Sequence, residues 1–135
     1  MAEGPAGYSG KTLAAKLGVK PGTRLWALNP PANYQDLIGP LPPGAMCAPD
    51  PVSADILHAF VANREGLAAQ VRFLTEAAGN GAALWISWPK KSSPMFVDLT
   101  EDGVREAILP TGWVDVKVCA VDHNWSGLKF LRRRT

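Results

Sequence analysis

The stretch Ala82-Ala83-Leu84-Trp85-Ile86-Ser87-Trp88, residues 82–88, is apolar at every position except Ser87. A strand with one wet face alternates apolar and polar residues. A run without alternation belongs inside a sheet covered on both faces, as parallel strands are. The run stops at Pro89-Lys90-Lys91 and follows Gly79-Asn80-Gly81, which ends a helix. In that helix Leu67, Val71, Leu74 and Ala78 recur at helical spacing behind Asn63, whose short polar side chain is a natural cap.

The same alternation of elements extends both ways. Upstream, Arg24 to Asn29 reads as a first buried strand that breaks at Pro30-Pro31, and residues 32–38 read as a short helix ending at Gly39-Pro40. Ala45-Met46-Cys47 is a short strand candidate, and Asp55 to Val61 a stronger one. Downstream, Thr100 caps a helix through Leu109, with Glu101 and Asp102 at its positive end and Pro110 beyond it. Val114 to Val121 is a β-branched strand, a tight segment from Asp122 to Gly127 turns the chain, and Leu128 to Arg132 form the last strand.

Strands alternating with helices imply a mostly parallel sheet with right-handed crossovers, to which a C-terminal hairpin adds an antiparallel strand. The expected architecture is a compact three-layer, Rossmann-like α/β domain. Its 135 residues fit one domain: residues 1–22 form an N-terminal helix and turn, and residues 23–135 the α/β core. The helix is expected from Ser9 to Gly18, with Leu13 and Leu17 on one face. Gly10-Lys11-Thr12 ends as a P-loop does, but Pro5 occupies the position of that motif's first glycine, so the segment reads as a helix start.

With 47% hydrophobic and 19% charged residues the chain is not a disordered one, and it contains no run long enough to span a bilayer. No membrane association and a cytoplasmic location are expected, since Lys11 and Lys16 are not followed by the apolar core of a secretory signal. A net charge of +2 does not argue for nucleic acid, and Arg132-Arg133-Arg134 reads as a solvated basic tail. Cys47 and Cys119 have neither metal nor redox spacing and read as small apolar core residues. With two histidines besides, no metal site is expected.

In sheets of this kind ligands bind beyond the carboxyl ends of the parallel strands. That rule gathers Asn29 and Tyr34 after the first strand, Asn63 and Arg64 after the third, Trp88, Lys90 and Lys91 after the fourth, and His123, Trp125 and Ser126 after the fifth. Trp88-Pro89-Lys90-Lys91 suits an anionic or planar ligand. It equally suits a solvated basic loop with a half-buried tryptophan. His123 beside Asp122 is a candidate proton-transfer pair, although neighbours on an extended chain point apart. Asp122 and Gly127 read as turn residues, with His123 and Trp125 left open. His58, inside an apolar strand, reads as a satisfied core histidine.

Leu17-Gly18-Val19-Lys20-Pro21-Gly22 before the first strand, Asp55-Ile56-Leu57-His58, Gly81-Ala82-Ala83-Leu84-Trp85-Ile86 and the closing Gly112-Trp113 hairpin resemble S-adenosylmethionine-dependent methyltransferases. More specifically, Ala6-Gly7-Tyr8-Ser9-Gly10-Lys11, Ser87-Trp88-Pro89-Lys90-Lys91 and Asp115 to Asp122 with Trp125-Ser126-Gly127-Leu128-Lys129 resemble a small bacterial family built on a domain of unknown function. The first resemblance implies S-adenosylmethionine as cofactor. Asn29-Pro30-Pro31-Ala32-Asn33 replaces the glycine-rich turn of those enzymes, Asp50 is the one acidic residue available after the second strand, and residues 39–55 are short for the usual adenosine wall.

The sequence therefore sets out two functions. One is a non-catalytic or regulatory binding domain on a degenerate methyltransferase-like scaffold, recognising a small anionic ligand or a protein partner through Trp88, Lys90, Lys91 and Trp125. The alternative is a divergent methyltransferase with Tyr34, Asn63 and His123 lining its pocket. An aromatic face also suits contact between copies of the chain.

Overall fold

The computed structural model describes residues 12–133. The expected Ser9 cap and the segment resembling a P-loop, up to Lys11, lie outside them, as do Arg134 and Thr135. Helix α1 spans Leu13–Leu17; its cap is Thr12, whose Oγ1 accepts from the Ala15 amide at 3.1 Å, and Gly18 ends it in the left-handed conformation. There follow β1 (Arg24–Leu28), α2 (Tyr34–Ile38), β2 (Met46–Cys47), β3 (Ile56–Phe60), α3 (Arg64–Ala77), β4 (Ala83–Pro89) and α4 (Glu101–Ile108). A 3₁₀ turn then leads into β5 (Trp113–Ala120) and β6 (Trp125–Arg132). Asn63 and Thr100 cap α3 and α4 through the amides of Gly66 and Gly103.

The six strands lie in the order β2-β1-β3-β4-β6-β5. β1 to β4 pair in parallel, and β6 runs antiparallel to both its neighbours, β4 and β5. The hairpin thus folds its second strand inward, making β5 an edge. Every residue of β4 is buried. Leu84, Ile86 and Trp88 face the core beneath α3 and α4, whereas Ala83 and Trp85 join Leu13, Leu17, Tyr34 and Ile38 beneath α1 and α2. The Trp85 indole N–H donates to the Leu17 carbonyl at 3.1 Å, which fixes the end of α1 to the central strand.

Three local expectations change. Strand β6 begins at Trp125, so Gly127 belongs to the strand and the turn is shorter; the Asp122 carboxylate closes it by accepting from the amides of Asn124 and Trp125. Arg132 is more than a solvated tail residue, because its guanidinium donates to the Ala78 carbonyl at 2.8 Å, at the end of α3, and lies over the Trp113 ring. Cys47 is exposed, because β2 is a two-residue edge strand with both side chains in solvent. Cys119 is half-buried, and burial pushes its thiol pKa up.

Gly127 shows how tightly β4 and β6 fit. A Cβ there would lie 3.2 Å from Ser87 Oγ, 3.3 Å from Val121 Cγ2 and 3.4 Å from Trp85 Cε3. Gly127→Ala is expected to lower unfolding stability by about 1–3 kcal/mol through overpacking. A urea midpoint equal to that of wild type would contradict this packing.

Candidate functional site

The carboxyl edge of the sheet is shaped by how β1 and β3 end. At Asn29, directly after β1, the chain enters the left-handed region with φ 52°. Asn tolerates that region better than other non-glycine residues, and the conformation costs about 1–2 kcal/mol all the same. Pro30 restricts the residue before it further. Backbone strain of this kind concentrates at ligand sites. Beyond β3, Val61 and Ala62 lead to Asn63, where α3 begins.

Between these ends lies a cleft of about 400 Å³, lined by Asn29, Phe60, Val61, Ala62, Asn63, Gly66, Ala69, Gln70 and Trp125. Its size falls within the range of small-molecule sites. The Trp125 ring meets Phe60 edge to face, with centroids 5.0 Å apart, and gives the cleft an aromatic wall. Asn29, Asn63 and Gln70 bring carboxamides. The lining is uncharged and combines aromatic carbon with paired donors and acceptors.

Of the residues singled out from sequence, Asn29, Asn63 and Trp125 meet at this cleft. Trp88 is buried in the opposite core, so its indole is not displayed beside the lysines. The side chain of Arg64 reaches Glu106 at 3.6 Å, bridging α3 to α4. Lys90 is half-buried and Lys91 exposed; the Lys90 amide donates to the Asn124 carbonyl at 2.8 Å, joining the loops after β4 and β5. His123 is exposed on that turn, and Ser126 is half-buried at the start of β6. Phe60, Val61, Ala62, Gly66, Ala69 and Gln70 are the lining residues missed from sequence. Phe60 looks like one more core residue of a buried strand, and Gln70 becomes visible only when α3 is wound onto the sheet.

Tyr34 is buried behind the cleft. It packs against Phe60, and its hydroxyl lies 2.9 Å from His58 Nδ1, while His58 Nε2 lies 2.7 Å from Ser87 Oγ. His58 is thus the satisfied core histidine that its strand implied. Burial lowers its pKa to about 3. Burial, aided by the nearby Cys47 thiol, pushes the Tyr34 phenol up. Both groups are neutral at physiological pH. A neutral imidazole offers one donor and one acceptor, so Tyr34, His58 and Ser87 form a relay with one sense of donation throughout.

No protein-family model matches the sequence. No curated protein matches it by sequence. Solved structures do match in fold. A SAM dependent methyltransferase from Aquifex aeolicus matches with a TM-score of 0.60 at 13% identity, over 87% of this chain and 86% of that one. The magnesium protoporphyrin IX methyltransferase of Synechocystis, with bound SAM, matches at 0.55 and 12% identity, over 89% and 74%. A possible exported protein from Bordetella parapertussis matches at 0.61 and 10%, over 91% and 66%. At such identities the likeness establishes the fold. The chain has the Rossmann-like fold of methyltransferases, a mostly parallel sheet with an antiparallel C-terminal pair.

The buried imidazole sets a pH dependence. Its pKa falls from 6.5 in the unfolded chain to about 3 in the folded one, so the unfolded chain binds the extra proton between those values. The stability of the neutral form is complete above 6.5 and is lost as pH falls, with a limiting slope of about 1.4 kcal/mol per pH unit. Urea midpoints between pH 6.5 and 5, above the range of ordinary carboxylates, should fall for wild type and stay nearly level for His58→Gln. Parallel slopes would remove His58 as the cause.

Proposed function

We propose that the protein is a divergent S-adenosylmethionine-dependent methyltransferase whose cofactor occupies the cleft beyond β1 and β3. The observation that carries this reading is the position and lining of that cleft: the carboxyl edge of a methyltransferase-like sheet, entered through the left-handed turn at Asn29. The glycine-rich turn is absent, yet the sharp change of direction that a glycine would allow is made by Asn29.

The lining fits a nucleoside. Phe60 and Trp125 offer apolar surface to a planar base, and the carboxamides of Asn29, Asn63 and Gln70 offer hydrogen bonds to its edge and to the sugar. Asn63 already accepts from the Gly66 amide through Oδ1, which leaves its NH₂ group to donate. Asp50 is committed elsewhere, because its carboxylate accepts from the Ser53 amide and these hydrogen bonds lower its pKa. When bound, the cofactor supplies an activated methyl group on a sulfonium. The protein's own part is to orient ligand and acceptor and to exclude water. The kinship with a small bacterial family and a cytoplasmic location belong to the same reading.

The uncharged lining favours a second reading, a binding domain without catalysis, regulatory in role. It would hold the nucleoside in the cleft and signal to a protein partner, or recognise a small anion at Lys90 and Lys91 instead. The two part company experimentally. S-adenosylhomocysteine at about 100 times its dissociation constant should stabilise the fold by about 2.7 kcal/mol, a rise of several degrees in Tm. Gln70→Ala should weaken that binding by about tenfold with the unliganded Tm unchanged. No rise at millimolar ligand would remove both readings of the cleft as a nucleoside site. A rise without methyl consumption across acceptor classes would favour the binding domain.

A further inference from the structure

The chain from the end of β3 into α3 forms one side of the cleft, and its backbone donors are largely engaged within the protein. The Val61 amide donates to the Ser87 carbonyl at 3.0 Å, the Gly66 amide to Asn63 Oδ1 at 2.7 Å and the Leu67 amide to the Asn63 carbonyl at 3.0 Å. The Arg64 amide donates to the Asp98 carboxylate at 2.9 Å. The amino end of a helix attracts anions through its unsatisfied amides and its dipole. Here a carboxylate of the protein itself holds that position, on the peptide that follows Asn63 of the cleft.

The side chains serve an anion no better. None of those lining the cleft is charged among the described residues. Arg64, next in sequence to Asn63, turns elsewhere: its guanidinium reaches Glu106 at 3.6 Å, and it lines a separate groove with Leu67, Leu99 and Gly103. An anionic group entering the cleft would lose water without gaining a cation, and would approach the negative charge of Asp98. A base and a sugar pay no such penalty, because aromatic carbon and carboxamides meet them.

We propose that the cleft is selective for an uncharged nucleoside: affinity resides in the base and sugar, the amino-acid end of S-adenosylmethionine adds little to it, and Asp98 disfavours ligands with an anionic group on the 5′ carbon. The proposal rests on the reading of the cleft as a nucleoside site given above. Titration calorimetry and amide-resolved NMR of the full chain test it with three probes. 5′-Methylthioadenosine, a nucleoside thioether without charge, and S-adenosylhomocysteine are expected to bind within about threefold of each other and to shift the amides of Asn29 and Gln70. Adenosine 5′-monophosphate is expected to bind about tenfold more weakly. Asp98→Asn keeps an oxygen acceptor for the Arg64 amide and removes the charge, so it should narrow the gap to the monophosphate by about threefold. Binding of S-adenosylhomocysteine about tenfold tighter than methylthioadenosine, or of the monophosphate as tightly as methylthioadenosine, overturns the proposal and leaves the methyltransferase reading in place. An unchanged gap in Asp98→Asn overturns the role of Asp98. Methylthioadenosine binding without S-adenosylhomocysteine retains the proposal and removes the methyltransferase reading, and no binding by any probe removes both.

Discussion

The structure depends on burying β4 on both faces at once. A strand with Leu84, Ile86 and Trp88 on one side and Ala83, Trp85 and Ser87 on the other is stable only between two layers of helix. The two layers are held differently. Beneath α3 and α4 the contact is apolar and extensive, whereas on the other face short α1 is pinned by a hydrogen bond from the Trp85 indole to its last carbonyl. A five-residue helix has little stability of its own, so that anchor and the burial of Leu13 and Leu17 give it a fixed place.

The thinner face is also where the core becomes polar. His58, Tyr34 and Ser87 come from three separate elements and satisfy one another away from water. Such a network is stable because each member has its partner, and it fixes α2 against β3 and β4 more specifically than apolar contact would. It also forms the floor behind Phe60, which is one wall of the cleft. The wall at Phe60 is therefore backed by a hydrogen-bonded network beneath the cleft.

At the opposite edge the sheet is curtailed. β2 pairs with only Arg24 and Leu25 of β1, and the chain returns to β3 without an intervening helix. Trp26 is left packing against Phe73 of α3, which stays 46% exposed. The cleft is correspondingly built from the turn after β1, the end of β3 and the residues beyond it, α3 and the start of β6, with no contribution from β2. The groups lining it are carboxamides, aromatic rings and small apolar side chains.

The sequence by itself determined the class of fold and most of its elements, because burial leaves a period. The unbroken run at residues 82–88, the helical spacing from Leu67 to Ala78, and the caps at Asn63 and Thr100 are all local signals. They also located the carboxyl edge, and with it Asn29, Asn63 and Trp125. Only the tertiary structure decided which face each side chain takes and what it meets. Trp88 reads like Trp125 in the chain, yet the alternation of β4 sends it into the core, while the inward fold of β6 brings Trp125 to Phe60. His58 found partners 24 and 29 residues away, and Arg132 found the end of α3 at 54. Contacts across such separations depend on the packing of whole elements, and a one-dimensional pattern carries no record of it.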